Sequence, residues 1–357
     1  MMKNRHRVLY RQYDFPVFQN RMYPTAEEAL VCPRGDIELV EDQVTGLVYN
    51  AAFRPELMVY DRDYQNEQAV SGAFRTHLAA VADIVERHLG SAHLVEIGCG
   101  KGWFLEMLVE RGADVVGFDP TYEGQNPRIV PQYFAPGVGI SARGMILRHV
   151  LEHIQDPHGF LHQLRLANGG GGLMYIEVPC LEWIIDRRAW FDVFYEHANY
   201  FRLSDFARMF GSVLHGERLF GGQYIGVVVD LATLRPPVVD VDDQVGFPSD
   251  FGAFAANALP DPQMPAVVWG GASKGVIFSL LLKRAGHAVQ SVIDINPTKQ
   301  GRYLPATGLR VQSPDEVLPT LRPGTTIFIM NSNYSQEIIA AAGPAFRYVE
   351  VDKLSTT

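Results

Sequence analysis

The sequence predicts an α/β protein: a small cap followed by two sheets of mainly parallel strands, the first ending in an antiparallel hairpin. Three observations carry this. From His93 strands and helices alternate through "HLVEIG", "GWFLEMLVERG", "DVVGFD", "GMILRHV", "FLHQLRLA" and "GLMYIEVP", the mark of a parallel sheet covered by helices. A second series opens with "AVVWGGASKGVIFSLLLKRAG", and each series starts with a strand that breaks at once into glycines. At 357 residues the chain also exceeds the size at which a single core stops growing, so two domains are expected.

Residues 1–75 are polar, aromatic and rich in turns, and read as a cap region. Within them "DIELV" and "GLVYN" resemble short strands joined by a turn. From Ser71, Phe74, Leu78, Val81, Ile84 and Val85 recur at spacings of three and four, which predicts an amphipathic helix delivering the chain to the first sheet. That sheet occupies 76–235 and finishes in "VLHGERLFGGQYIGVVVDLA", two strand-like runs joined at Gly221 and Gly222. A two-residue connection can join only antiparallel strands, hence the terminal hairpin. Between 236 and 265 the composition shifts to Pro, Asp and Ala, a linker, and 266–357 form the second, smaller Rossmann-like domain.

Composition narrows the partners. The net charge is −9, from 31 Lys and Arg against 40 Asp and Glu, which argues against general nucleic-acid binding by phosphate neutralisation. No apolar run has signal-peptide or membrane-span length, so a soluble cytoplasmic protein is expected. Cys32, Cys99 and Cys180 are too scattered for a CxxC pair or a disulfide framework. No metal site is expected, and "HVLEH" lacks the Glu that a zincin carries directly after its first His.

The first glycine loop, "LVEIGCGKGWF", separates ligand classes. Its spacing is Glu96-x-Gly98-x-Gly100-x-Gly102, so the third glycine arrives one residue earlier than in a dinucleotide fingerprint. Glu96 would repel a pyrophosphate and attract an ammonium or sulfonium. Asp119 in "VVGFDP" stands where a carboxylate accepts ribose hydroxyls. A phosphate-free nucleoside fits best, with Cys99 a small loop residue rather than a nucleophile.

"VEIGCGKG" followed by "GFDP" resembles the cofactor loop and ribose acid of class I S-adenosylmethionine-dependent methyltransferases. The resemblance implies a Rossmann-like sheet with a terminal antiparallel hairpin, S-adenosylmethionine as cofactor and S-adenosylhomocysteine as product. It implies cofactor contacts from Glu96, Gly98, Cys99, Gly100, Gly102, Asp119, Pro120, Arg148, His149 and Tyr64, and leaves the adenine contact unassigned.

Two further stretches, "RHVLEHIQDPHGFL" and "FYEHANYF", follow the fourth and fifth strands and reach the carboxyl edge where open α/β sheets bind ligands. With "VWGGASKGVIFSLLL" and "NPTKQGRYLP" they resemble methyltransferases acting on nucleotide-linked sugars, notably the sugar C-methyltransferase group, over nearly the full chain. On that resemblance His197 is the general base beside a sugar ketone, Glu196 belongs to the same motif, and His153 and Tyr195 stabilise the developing enolate. Phe194 holds the slot of the family's tyrosine. Tyr200, Lys274, Lys299, Tyr303 and Asn331 are the expected substrate contacts, with Lys274 near a helix N-terminus suited to phosphate. The family's cysteine-rich N-terminal zinc module is reduced to Cys32, which cannot build a four-ligand site. O- or N-methylation of another small acceptor, a nicotinamide-dependent oxidoreductase using the second glycine loop, and a silent ligand-binding protein are the competing readings; oligomeric state is left open.

Overall fold

A computed structural model describes residues 6–58, 70–252 and 266–356. Strand β1 (His6–Pro16) is followed by helix α1 (Ala26–Leu30) and strands β2 (Arg34–Asp42) and β3 (Val48–Asn50), which pair in antiparallel order. The two strands foreseen from "DIELV" and "GLVYN" are β2 and β3. The sequence reading did not include β1, whose "HRVLYRQYDFP" carries charges on a half-exposed edge in place of clean alternation.

Helix α2 (Gly72–Leu89) begins at Ser71, whose hydroxyl accepts the Phe74 amide, and buries Phe74, Leu78, Val81, Ile84, Val85 and Leu89. Each such side chain contributes about 1.5–3 kcal/mol when fully buried, so α2 is anchored by its apolar stripe more than by propensity. It packs on strands β4 (Leu94–Ile97), β5 (Val115–Phe118), β6 (Ile129–Val130), β7 (Gly144–Arg148) and β8 (Leu173–Pro179), with α3 (Trp103–Glu110) and α4 (Pro157–Ala167) among the crossovers. After α5 (Leu181–Asp186), the short β9 (Asn199–Tyr200) pairs with β3, so the first sheet borrows a strand from the second unit. Helix α6 (Leu203–Met209) leads into β10 (Val213–Leu219) and β11 (Tyr224–Asp230).

The second sheet runs β6-β5-β4-β7-β8-β11-β10, parallel from β6 to β8, with β11 antiparallel to both neighbours. The terminal hairpin is therefore present. Its turn is longer than two residues, because Leu219 pairs with Tyr224 and Phe220 to Gln223 form the loop, with Phe220, Gly221 and Gly222 all at positive φ.

The third sheet is built from β12 (Ala266–Trp269), β13 (Val289–Ile293), β14 (Val311–Gln312), β15 (Thr326–Ile329) and β16 (Arg347–Glu350) in the order β14-β13-β12-β15-β16, all parallel. Helices α7 (Lys274–Arg284), α8 (Pro314–Val317) and α9 (Ser335–Ala342) belong to this unit. Backbone bonds from Ser273 to Gln19, between Tyr23 and Tyr303, and from Ala306 to Ala29 tie it to the first sheet. No helix among the described residues is long and apolar enough to cross a membrane.

Candidate active site

The β4–α3 loop is shaped by its glycines. Gly98, Gly100 and Gly102 all have positive φ, a region L side chains rarely occupy. A Cβ on Gly98 would meet Val150 at 2.4 Å and one on Gly102 would meet Ile129 at 2.5 Å, whereas one on Gly100 would point into open space. Gly98 and Gly102 are thus required for packing, and Gly100 leaves a clear approach to its backbone. The Gly100 amide donates to Asp119 Oδ2 at 2.8 Å, while Oδ1 accepts from the amide and hydroxyl of Thr121. These bonds hold the Asp119 carboxylate at the carboxyl end of β5, beside Pro120.

Glu96 is buried on β4, and its Oε2 has no hydrogen-bond partner among the described residues. Burial pushes its pKa up to about 7 despite the nearby Arg148 guanidinium, with Asp119 adding to the rise. An unpartnered buried acceptor beside an accessible glycine backbone fits the ammonium end of a methionine-bearing nucleoside. Cys99 is buried, with its thiol pKa raised by desolvation and by Glu96 and Asp119, so it is no nucleophile.

Across the carboxyl edge lies a cavity of about 570 Å³ between the second and third sheets. The ends of both sheets face it: His149 follows β7 and Pro179 ends β8, while Gly270, Asp294 and Asn331 follow β12, β13 and β15. Open α/β sheets bind ligands at this edge, and here two such edges share one space. Glu152, His153, Glu196, His197, Lys274 and Lys299 also line it.

His197 stands in the wall of this cavity. It is buried, its Nδ1 has no partner among the described residues, and desolvation, with His153 next, lowers its pKa to about 3, which keeps the imidazole neutral. Glu152 is buried beside it, yet its pKa lies below the usual carboxylate range, because the hydrogen bond from His149 outweighs burial. His149, at φ 51°, bridges two buried carboxylates, with Nε2 2.8 Å from Glu177 and Nδ1 3.5 Å from Glu152. Those two carboxylates overcome desolvation and raise its pKa to about 9. His153 Nδ1 lies 2.8 Å from the Glu196 carbonyl, and Glu196 Oε1 accepts the Gln19 amide at 2.9 Å.

Residues 69–213 match the family model described as a methyltransferase domain, and the seven-stranded sheet with its antiparallel penultimate strand lies largely within and just beyond that span. Residues 69–213 are a methyltransferase domain. Among curated proteins, the C-methyltransferase NovU from Streptomyces niveus is 24% identical over 324 residues, covering 77% of this chain and 76% of that protein. Among solved structures, the 1,6-didemethyltoxoflavin-N1-methyltransferase of Burkholderia thailandensis is 16% identical with a TM-score of 0.33, covering 43% of this chain and 77% of its own. Magnesium protoporphyrin IX methyltransferase from Synechocystis PCC 6803, solved with S-adenosylhomocysteine, is 15% identical with a TM-score of 0.35, covering 44% and 82%.

The methyltransferase brings His149, His153, Glu196, His197, Lys274, Lys299 and Asn331 to one cavity. It corrects three expectations. Tyr195 points into the cap, where its hydroxyl accepts the Arg54 amide and its ring stacks on Phe53, so it stands apart from the cavity and Phe194 lines it instead. The Tyr200 hydroxyl is buried and spent on the backbone of Phe194, accepting from its amide and donating to its carbonyl. Tyr303 serves as a backbone bridge to Tyr23 and Arg310, away from the cavity lining. Arg148 is partly buried, bonded to Glu177 and set over the ring of Phe104. Lys274 and Lys299 are ion-paired with Asp192 and Asp294, and Tyr64 lies outside the described residues.

Glu152, Glu177, Asp192 and Gln223 were not read from sequence. Buried carboxylates flanked by histidines are the available signal, and "HVLEH" contains one, but Glu177 in "YIEVP" looks like an ordinary strand residue until His77, Arg148 and His149 are seen around it.

Proposed function

We propose that the enzyme methylates a carbon of a small nucleotide-linked sugar, with His197 as the general base. The observation carrying this reading is a neutral, buried imidazole whose Nδ1 lacks a partner among the described residues, set at the wall of a cavity shared by two sheet edges. S-adenosylmethionine, when bound, supplies a methyl group already activated on a sulfonium. The chain must then orient the acceptor and remove its proton, the two tasks that positioned side chains perform. His197 accepts the acceptor's proton on Nδ1, and the cationic His149 and the ring of His153 face the same space to stabilise negative charge on the acceptor. Glu96, the backbone of Gly98 to Gly102 and Asp119 hold the donor. The third sheet takes the nucleotide portion, with Lys274 and Lys299 exchanging their aspartate partners for phosphate. In this division 1–75 cap the site, 76–235 bind the donor, 236–265 link, and 266–357 bind the acceptor.

The similarity to a C-methyltransferase over most of both chains supports transfer to carbon. Mass spectrometry of a panel of nucleotide-sugars incubated with labelled S-adenosylmethionine tests it, and the expected product gains one methyl on carbon. His197→Ala should lose at least a hundredfold in turnover while S-adenosylhomocysteine still raises its melting temperature. Wild-type turnover in that variant removes His197 from the chemistry, and stabilisation by NADPH but not S-adenosylhomocysteine overturns the whole reading.

A further inference from the structure

We propose that Glu152, His153 and His197 bind one divalent transition cation at the cavity wall, and that this cation competes with the acceptor's proton for His197. The second half rests on His197 being the base. One donor atom from each residue lies within 4.8 Å of the other two, so small side-chain rotations bring them onto one ion with ligand bonds of about 2.1 Å. Two donors are buried without partners among the described residues, Glu152 Oε2 and His197 Nδ1, and both residues are at least nine-tenths buried. Two imidazoles and one carboxylate form a three-ligand set suited to zinc, cobalt or iron, with remaining positions open towards the cavity.

The surroundings support ligation. His153 Nδ1 donates to the Glu196 carbonyl, which fixes the tautomer and leaves the lone pair on Nε2. The other oxygen of Glu152 faces His149 Nδ1 at 3.5 Å, and the Glu196 side chain is itself held by the Gln19 amide. Metal-binding histidines and carboxylates are oriented by such outer partners. A cation here occupies the His197 lone pair, so its arrival silences the base.

The test is titration of the full-length, EDTA-treated protein with Co2+, followed by equilibrium dialysis and visible absorption. One equivalent should bind with ligand-field bands, and Glu152→Gln and His153→Gln should each weaken binding at least tenfold. Both variants should keep their stabilisation by S-adenosylhomocysteine, which certifies the fold. His88→Ala, which alters a surface pair with His215, should bind as wild type. Absence of stoichiometric uptake, or equal affinity in wild type and the two site variants, overturns the site. Methyl transfer should fall in step with Co2+ occupancy and return with EDTA. Occupancy with an unchanged or raised rate overturns the competition and the base assignment together, leaving the cation site standing. A His197-dependent activity without Co2+ uptake leaves the base assignment standing alone.

Discussion

Glu96 is a buried carboxylate whose proton offers a test of the proposed donor site. Its folded pKa of about 7 lies above the ordinary 4.5 because burial penalises the anion. The sign follows: the folded state holds this proton from pH 4.5 to 7, the unfolded state does not, and stability from this group declines as pH rises through that window. An arriving ammonium favours the anion and displaces the proton. Calorimetry of S-adenosylhomocysteine binding at pH 7 in buffers of different ionisation enthalpy should therefore show release of about half a proton, a release absent in Glu96→Gln. At this scale the donor side was legible, since a loop glycine pattern and an adjacent acid are local facts. The acceptor side was legible only in part. Tyr195 and His197 are two apart in one irregular segment, and only the fold decides that the first faces the cap and the second the cavity.

Among elements, the β4–α3 turn makes separable demands on its glycines. Gly98→Ala must place a methyl against Val150 in addition to adopting φ 70°, whereas Gly100→Ala meets only the backbone penalty and whatever ligand lies there. Gly98→Ala should lower stability by about 2–4 kcal/mol and Gly100→Ala by about 1 kcal/mol. Gly100→Ala should nonetheless weaken S-adenosylhomocysteine binding, and chemical denaturation with ligand titration on both variants checks this. The repeating strand-helix order was readable because β4, β7 and β8 are mainly apolar runs buried on both faces, interrupted by Glu96 in β4 and Glu177 in β8. The same logic failed at β1 and β9: one is charged along an edge, and the other is two residues long and exists only because β3 lies beside it.

At the scale of the molecule, the third sheet is fastened to the second at the mouth of the cavity. Glu337 in α9 accepts from the Ser71 hydroxyl at 2.7 Å and from the Ala73 amide at 2.8 Å, capping α2 from the opposite unit. The Asn331 side chain donates to Gln223 at 2.8 Å and that of Asn333 to the Phe220 carbonyl at 2.9 Å, seating the hairpin turn. Glu337→Ala should lower stability by about 1–3 kcal/mol and weaken acceptor saturation, a raised KM, more than donor binding, because the cap orders a cavity wall distant from the glycine loop. Thermal melts and steady-state kinetics with both substrates varied check the split. No sequence pattern announces a helix cap whose two halves are some 260 residues apart.

The stitching of residues 14–29 to residues 273–306 has a temporal side. During synthesis the segment that becomes β1 and α1 leaves the ribosome long before the loop after β12 and the strands that follow exist. Chains emerge at about 5–20 residues per second, so that segment spends on the order of tens of seconds without one of its docking partners. Residues 14–29 thus wait for residues 273–306 before they reach their final neighbours, and the wall they help to build closes only after the third sheet has begun to emerge.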